Sequence, residues 1–191
     1  MASDPALIIP LPAWVDETVD AFTDPLARDA ERMALAVRLS LENVQRGGGP
    51  FAALVFSGTE LVAAAVNSVL STGYSLAHAE TLALLRFQDE TRGRPAEALA
   101  RPVTLVTTTE PCCQCFGAIV WSGIDHLVCG ARTSDAERIG FDEGPKPADW
   151  ATELERRGIA VTRDVERDAA RAVLDEYARR GGTIYGRPGR G

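Results

Sequence analysis

Two short segments, His78-Ala79-Glu80 and Pro111-Cys112-Cys113-Gln114-Cys115, constrain this chain more than anything else in it. One imidazole, His78, and two thiolates, Cys112 and Cys115, make a three-ligand set for Zn2+ with one tetrahedral position left open. Structural zinc sites close with four protein ligands, whereas catalytic sites keep one position for water. Glu80 lies two residues from the imidazole, close enough to handle protons at the open position without being a ligand itself. Any fold of this sequence must bring the two segments to a single point.

Local geometry agrees. Ser75 is placed to cap a helix running from about Leu76 toward Arg86. Thr109 is a capping candidate for a second helix that has Pro111 at its first position, where a missing N–H costs nothing. Cys112 and Cys115, three apart, then share a face in the first turn. The partial positive charge of a helix N-terminus lowers thiol pKa and favours the thiolate that zinc needs. Taken alone, C-x-x-C in a non-secreted protein also fits a redox dithiol.

The 191 residues suit one domain, 1–191, with an N-terminal arm over 1–23 and a C-terminal tail over 181–191. Four cysteines, three of them within Cys112–Cys115, do not form a secreted disulfide framework. The sequence has no long apolar run and no basic-then-apolar leader, so a cytoplasmic setting is expected and no membrane partner. A net charge of −7 argues against a nucleic-acid partner, since phosphate contacts need clustered Lys and Arg. Lys146 is the single lysine. The arginines of Arg156–Arg180 alternate with acids and read as solvated helix faces.

Periodicity orders the elements. A short helix falls around Trp14–Phe22, and a longer one opens at Asp24-Pro25 with Leu26, Ala30, Met33, Val37, Leu41 and Val44 as its apolar face. Gly47-Gly48-Gly49-Pro50 stops it. Strands over Phe51–Phe56 and Leu61–Val66 form a hairpin through Ser57-Gly58-Thr59-Glu60. The His78 helix follows, then a strand at Val103–Thr107, the Cys112 helix and a strand at His126–Gly130. A helix over Pro147–Arg157, a strand at Ile159–Thr162 and a helix over Val165–Arg180 complete the chain, the last with Ala169, Val173, Leu174 and Tyr177 toward the core. Hairpin first, then alternating helix and strand, predicts a three-layer α/β/α sandwich around a mixed five-stranded sheet.

The H-x-E and P-C-x-x-C pair resembles the signature of zinc-dependent base deaminases. More of the chain resembles the cytidine deaminase-like superfamily and, within it, the bacterial guanine deaminases. Gly47-Gly48-Gly49-Pro50-Phe51 is similar to the G-G-P-F entry to the first strand. Glu110 through Trp121 is similar to the E-P-C-x-x-C-x-G-A-I-x-W helix, and Asp135 through Glu143 to the segment that supplies a second pocket carboxylate. The resemblance implies a zinc-dependent aminohydrolase acting on a free nucleobase, guanine before all, with ammeline as a side substrate. It implies Glu80 and Glu143 as catalytic groups, Phe51, Asn67, Ala79, Trp121 and Tyr185 as substrate contacts, and a homodimer whose Tyr185 tail closes the pocket, in its own subunit or swapped.

Read from the residues alone, Phe51 and Trp121 also suit a core, Asn67 a turn and Glu143 a solvated loop. Cys113 and Cys129 read as bystanders and His126 as a surface residue. The alternatives left open are a cytosine, triazine or nucleoside deaminase, a tRNA adenosine deaminase, a silent nucleobase-binding zinc protein and the dithiol.

Overall fold

The structure, a computed structural model, describes residues 9–24, 26–94 and 98–185. Parts of the arm, residues 1–8, and of the tail, residues 186–191, lie outside the described residues, as does Pro25.

Five strands form one sheet in the order β2-β1-β3-β4-β5: β1 Ala52–Ser57, β2 Glu60–Val66, β3 Val103–Thr109, β4 His126–Ala131 and β5 Ala160–Thr162. β1 pairs antiparallel with β2 and β3, while β3, β4 and β5 run parallel, so the sheet is mixed as expected. The period-2 alternation of β1 feeds both faces. Ala52, Leu54 and Phe56 pack with α1 (Trp14–Asp20) and α2 (Asp29–Gln45), while Ala53 and Val55 pack with α4 (Ala79–Glu90), α5 (Cys113–Trp121) and α7 (Trp150–Glu155). α8 (Arg167–Arg179) lies beside α2 on the first face. Helices on both faces make the three-layer α/β/α sandwich. Among the described residues no helix is long and apolar enough to cross a membrane.

Two short helices, α3 (Val69–Thr72) and α6 (Thr133–Arg138), fall where the sequence pattern shows only connections. Several element starts differ from expectation, each for a local reason. α2 begins at Asp29, leaving Leu26 outside, because the Glu31 carboxylate accepts the amides of Ala27 and Arg28 and sets the first turn there. Ala170, not Ala169, joins Val173, Leu174 and Tyr177 in the core of α8, the regular i, i+3, i+4, i+7 spacing. Ser75 caps nothing. Ala77 gives its carbonyl to the Ser68 amide, which holds the turn extended until His78 itself becomes the N-cap of α4. Thr109 is still strand, paired with Ala131, and cannot cap α5; Cys112 is the N-cap, and Pro111 precedes it.

Candidate active site

β2 and β3 both run antiparallel to β1 and so point the same way, which brings the N-termini of α4 and α5, the helices that follow them, to one end of the sheet. His78 and Cys112 both have extended N-cap backbones, so their side chains project ahead of the helices. Nδ1 of His78 stands 3.5 Å from Sγ of Cys112 and 3.5 Å from Sγ of Cys115. All three ligand atoms lie within 4.8 Å of one another. A tetrahedral zinc with Zn–S of about 2.3 Å and Zn–N of about 2.0–2.1 Å requires S···N separations of about 3.5–3.6 Å. The site therefore has both the donor chemistry and the spacing for zinc.

Charge within the triad fits the same cation. The Cys112 thiol is pulled down to about 4, first by the hydrogen bond from Cys115 and then by His78, against its own burial. The Cys115 thiol goes the opposite way, held protonated by its bond to Cys112 and by burial. Burial works to lower His78, yet the Cys112 bond and the nearby carboxylates outweigh it and the imidazole rises. A thiolate, a thiol and a proton-loving imidazole crowded together are a set that a divalent cation reorganises, because coordination needs both sulfurs deprotonated and the imidazole neutral.

A cavity opens beside the triad, lined by Phe51, Asn67, His78, Glu80, Thr109, Glu110, Cys112, Phe141, Asp142, Glu143 and Tyr185. Its volume is small, about 60 Å³. Of the four acids that line it, Glu110 is bonded by Thr133 and Arg163 and Asp142 is exposed, while the other two are buried and come from different elements: Glu80 from the first turn of α4, 6% exposed, and Glu143 from the loop after α6, 7% exposed. Burial raises both, with the Cys112 thiolate adding to it, and Glu143 is pushed up to about 8.

Asn67 is held from two sides. Its Oδ1 accepts the Val69 amide at 3.2 Å, and its carbonyl accepts Nδ2 of Asn43 at 2.9 Å. The same Asn43 nitrogen holds the Gly49 carbonyl at 2.8 Å. Gly49 is required there, since a Cβ would sit 2.2 Å from the Tyr185 hydroxyl and 3.0 Å from Oδ1 of Asn67. That Tyr185 hydroxyl is buried and has no hydrogen-bond partner among the described residues. Phe51 and Tyr185 both meet Phe141 edge-on, at 5.0 and 5.2 Å between ring centroids, and close one wall of the cavity.

The structure thus brings together His78, Cys112, Cys115, Glu80, Glu143, Phe51, Asn67 and Tyr185. Trp121 and Ala79 do not line the cavity of this chain. Trp121 ends α5 with 86% of its surface exposed and does not line the cavity. Nine helical residues at about 1.5 Å each carry it roughly 13 Å from the ligand end. The Ala79 side chain is fully buried in the core under α4, outside the cavity lining. Thr109, Glu110, Phe141 and Asp142 also line the cavity, although the sequence named none of them as a site residue. The one signal for Phe141 was its place two residues before Glu143. Cys113 and Cys129 lie outside the triad, and His126 bonds Thr162 at 2.8 Å at the far end of β4.

Residues 26–131 match the cytidine and deoxycytidylate deaminase zinc-binding region. A solved structure of the guanine deaminase from Nitrosomonas europaea superposes with a TM-score of 0.85 at 43% identity, covering 94% of this chain and 100% of that one. NE0047, solved in complex with 2,6-diaminopurine, gives 0.86 at 44% identity, covering 95% and 97%. The guanine deaminase of Bacillus subtilis (strain 168) is 32% identical over 124 residues, 61% of this chain and 77% of its own length. With more than half of its length matched and the triad spaced for the metal, the chain belongs to the zinc-binding cytidine and deoxycytidylate deaminase family and is a zinc-dependent nucleobase aminohydrolase.

Proposed function

We propose that this enzyme converts guanine and water to xanthine and ammonia. The observation that carries the reading is the second buried carboxylate: Glu143 shares one cavity with Glu80, and both reach it from beside the triad. A one-carboxylate site would have to take a proton from water and return one to the leaving amine with the same group.

His78, Cys112 and Cys115 would hold zinc, which would supply an acidified water to the cavity. Glu80 would take a proton from the water as its oxygen adds to the amino-bearing carbon, and would hand that proton to the ring nitrogen beside it. Its raised affinity for protons suits a base that must keep one in transit. Glu143, holding a proton near neutral pH, would face the amino group on C2, donate as ammonia departs, and recover a proton from the hydroxyl left on that carbon as the product carbonyl forms. Asn67 hydrogen-bonds the polar edge of the ring, and Phe51, Phe141 and Tyr185 cover its planar faces and keep solvent out. The likeness to the Nitrosomonas europaea guanine deaminase NE0047, which has been solved with 2,6-diaminopurine, a purine with an amino group on C2, supports the choice of ring.

Ammonia release measured across guanine, guanosine, adenine, cytosine and ammeline tests the choice. Guanine should lead, with ammeline as the slower side substrate. Preference for cytosine or for guanosine would overturn it.

A further inference from the structure

Lys146, the single lysine of the chain, spends its donors in an unusual way. Its ammonium makes no ion pair among the described residues. Instead it donates to the Pro111 carbonyl and, at 2.7 Å, to the Thr133 hydroxyl, while lying 5.3 Å from the centroid of the Trp150 ring. The Pro111 carbonyl belongs to the peptide that leads directly into Cys112. The Thr133 hydroxyl in turn donates to Glu110, whose carboxylate is buried and bonded by Arg163 at 2.7 Å. Lys146 is thereby tied to the rigid strand end from which the sulfur ligands hang.

Three residues before it stands Glu143. No hydrogen bond among the described residues holds that carboxylate, so its position is inherited from its backbone. The backbone is clamped in turn. Gly144 donates to Oδ1 of Asp142 at 3.0 Å, and the Cys113 amide donates to the Glu143 carbonyl at 2.8 Å. Gly144, at φ +68°, presses so close to Cys113 that a Cβ would lie 2.4 Å from its sulfur. These contacts hold one end of the loop, and Lys146 holds the other.

We propose that Lys146 is a positioning residue for Glu143, tethering the Asp142–Lys146 loop to the Pro111-Cys112 peptide so that the carboxylate is held at its working distance from the metal-binding triad. The proposal rests on the role given to Glu143 above. A compact ammonium with three rotatable donors can satisfy a carbonyl and a hydroxyl while standing over the Trp150 ring, a geometry that a planar guanidinium does not reproduce. Misplacing a reacting group by about 1 Å costs on the order of a hundredfold in rate, which sets the size of the effect.

The test uses the full-length zinc-loaded enzyme. Lys146→Met keeps an unbranched side chain of similar length and removes the ammonium with its donors. Its zinc content and its KM for guanine should stay within about twofold of wild type, while kcat falls about ten- to a hundredfold. In a Glu143→Gln background the same substitution should cost less than about twofold, because groups that act through one another are non-additive. Lys146→Gln, too short to reach both partners, is the second variant if the methionine protein does not fold, and is read in the same way. Wild-type kcat in the Lys146 variant, or the same loss in both backgrounds, overturns the positioning role and leaves Glu143 standing. Wild-type kcat in Glu143→Gln overturns the role of Glu143 and the positioning role with it.

Discussion

The backbone amide of Cys113 donates a 2.8 Å hydrogen bond to the carbonyl of Glu143. One peptide contact thus joins the helix that carries two sulfur ligands to the loop that carries the second carboxylate. Glu80 arrives independently, from the first turn of α4, so two buried acids of the cavity reach the triad from different elements.

Zinc should be present at about one per chain, and Cys112→Ser or Cys115→Ser should lose it together with activity. Metal analysis beside an ammonia assay checks this. Full turnover in protein shown to be metal-free would sink the mechanism.

Glu80→Ala should keep its zinc, because the carboxylate lies outside the triad, and lose about a hundred- to ten-thousandfold in kcat. Side-by-side metal content and steady-state kinetics decide it. A variant with wild-type kcat would leave Glu80 as a buried structural acid.

Glu143 also predicts a pH dependence of stability. Its folded-state pKa is raised by burial, and further by the Cys112 thiolate, from 4.5 to about 8. The folded protein therefore keeps a proton that the unfolded chain releases. The stability that this contributes is complete below about 4.5 and is lost as pH rises through about 8. In urea unfolding of metal-free protein, Glu143→Gln should gain on wild type across that window, since glutamine has no proton to lose. Parallel curves would show that the carboxyl titrates normally.

Asn43 stabilises the cavity without touching substrate. Its Nδ2 holds the carbonyls of Gly49 and Asn67 together, and the residue is 5% exposed. Asn43→Ala should cost about 1–3 kcal/mol through the unpaired buried carbonyls and raise KM for guanine by releasing Asn67. Denaturant melts and kinetics measure the two effects, and a stable variant with unchanged KM would contradict both.

The tail should act as a lid. The Tyr177 hydroxyl donates to the Thr183 carbonyl at 2.6 Å, and Tyr185 then reaches the chain's own cavity. Removing residues 183–191 should leave a folded zinc protein with turnover reduced by on the order of ten- to a hundredfold, as expected when a closing segment is lost. The homodimer expected for this chain is checked by solution mass, with and without the tail. Unchanged kinetics in the truncated protein would make the tail inert.

The sequence by itself determined the metal chemistry and the layering. Ligand type and spacing are local properties: His78, Cys112 and Cys115 announce zinc wherever they lie, and the unbroken apolar run Phe51–Phe56 announces a strand covered on both faces. The single lysine was equally visible in the sequence, yet nothing local says what Lys146 holds. Tertiary structure alone decided where each element begins and which way its ends face. His78 and Cys112 became N-caps because distant partners, Ser68 and Glu143, occupy the preceding carbonyl and the following amide. Trp121 sits in the same resembling motif as Cys112 yet points to solvent, whereas Phe141, inconspicuous in sequence, closes the cavity between Phe51 and Tyr185. The elevated proton affinity of Glu143 likewise exists only once the loop is folded against α5, because desolvation is a property of the packed surroundings and not of the residue.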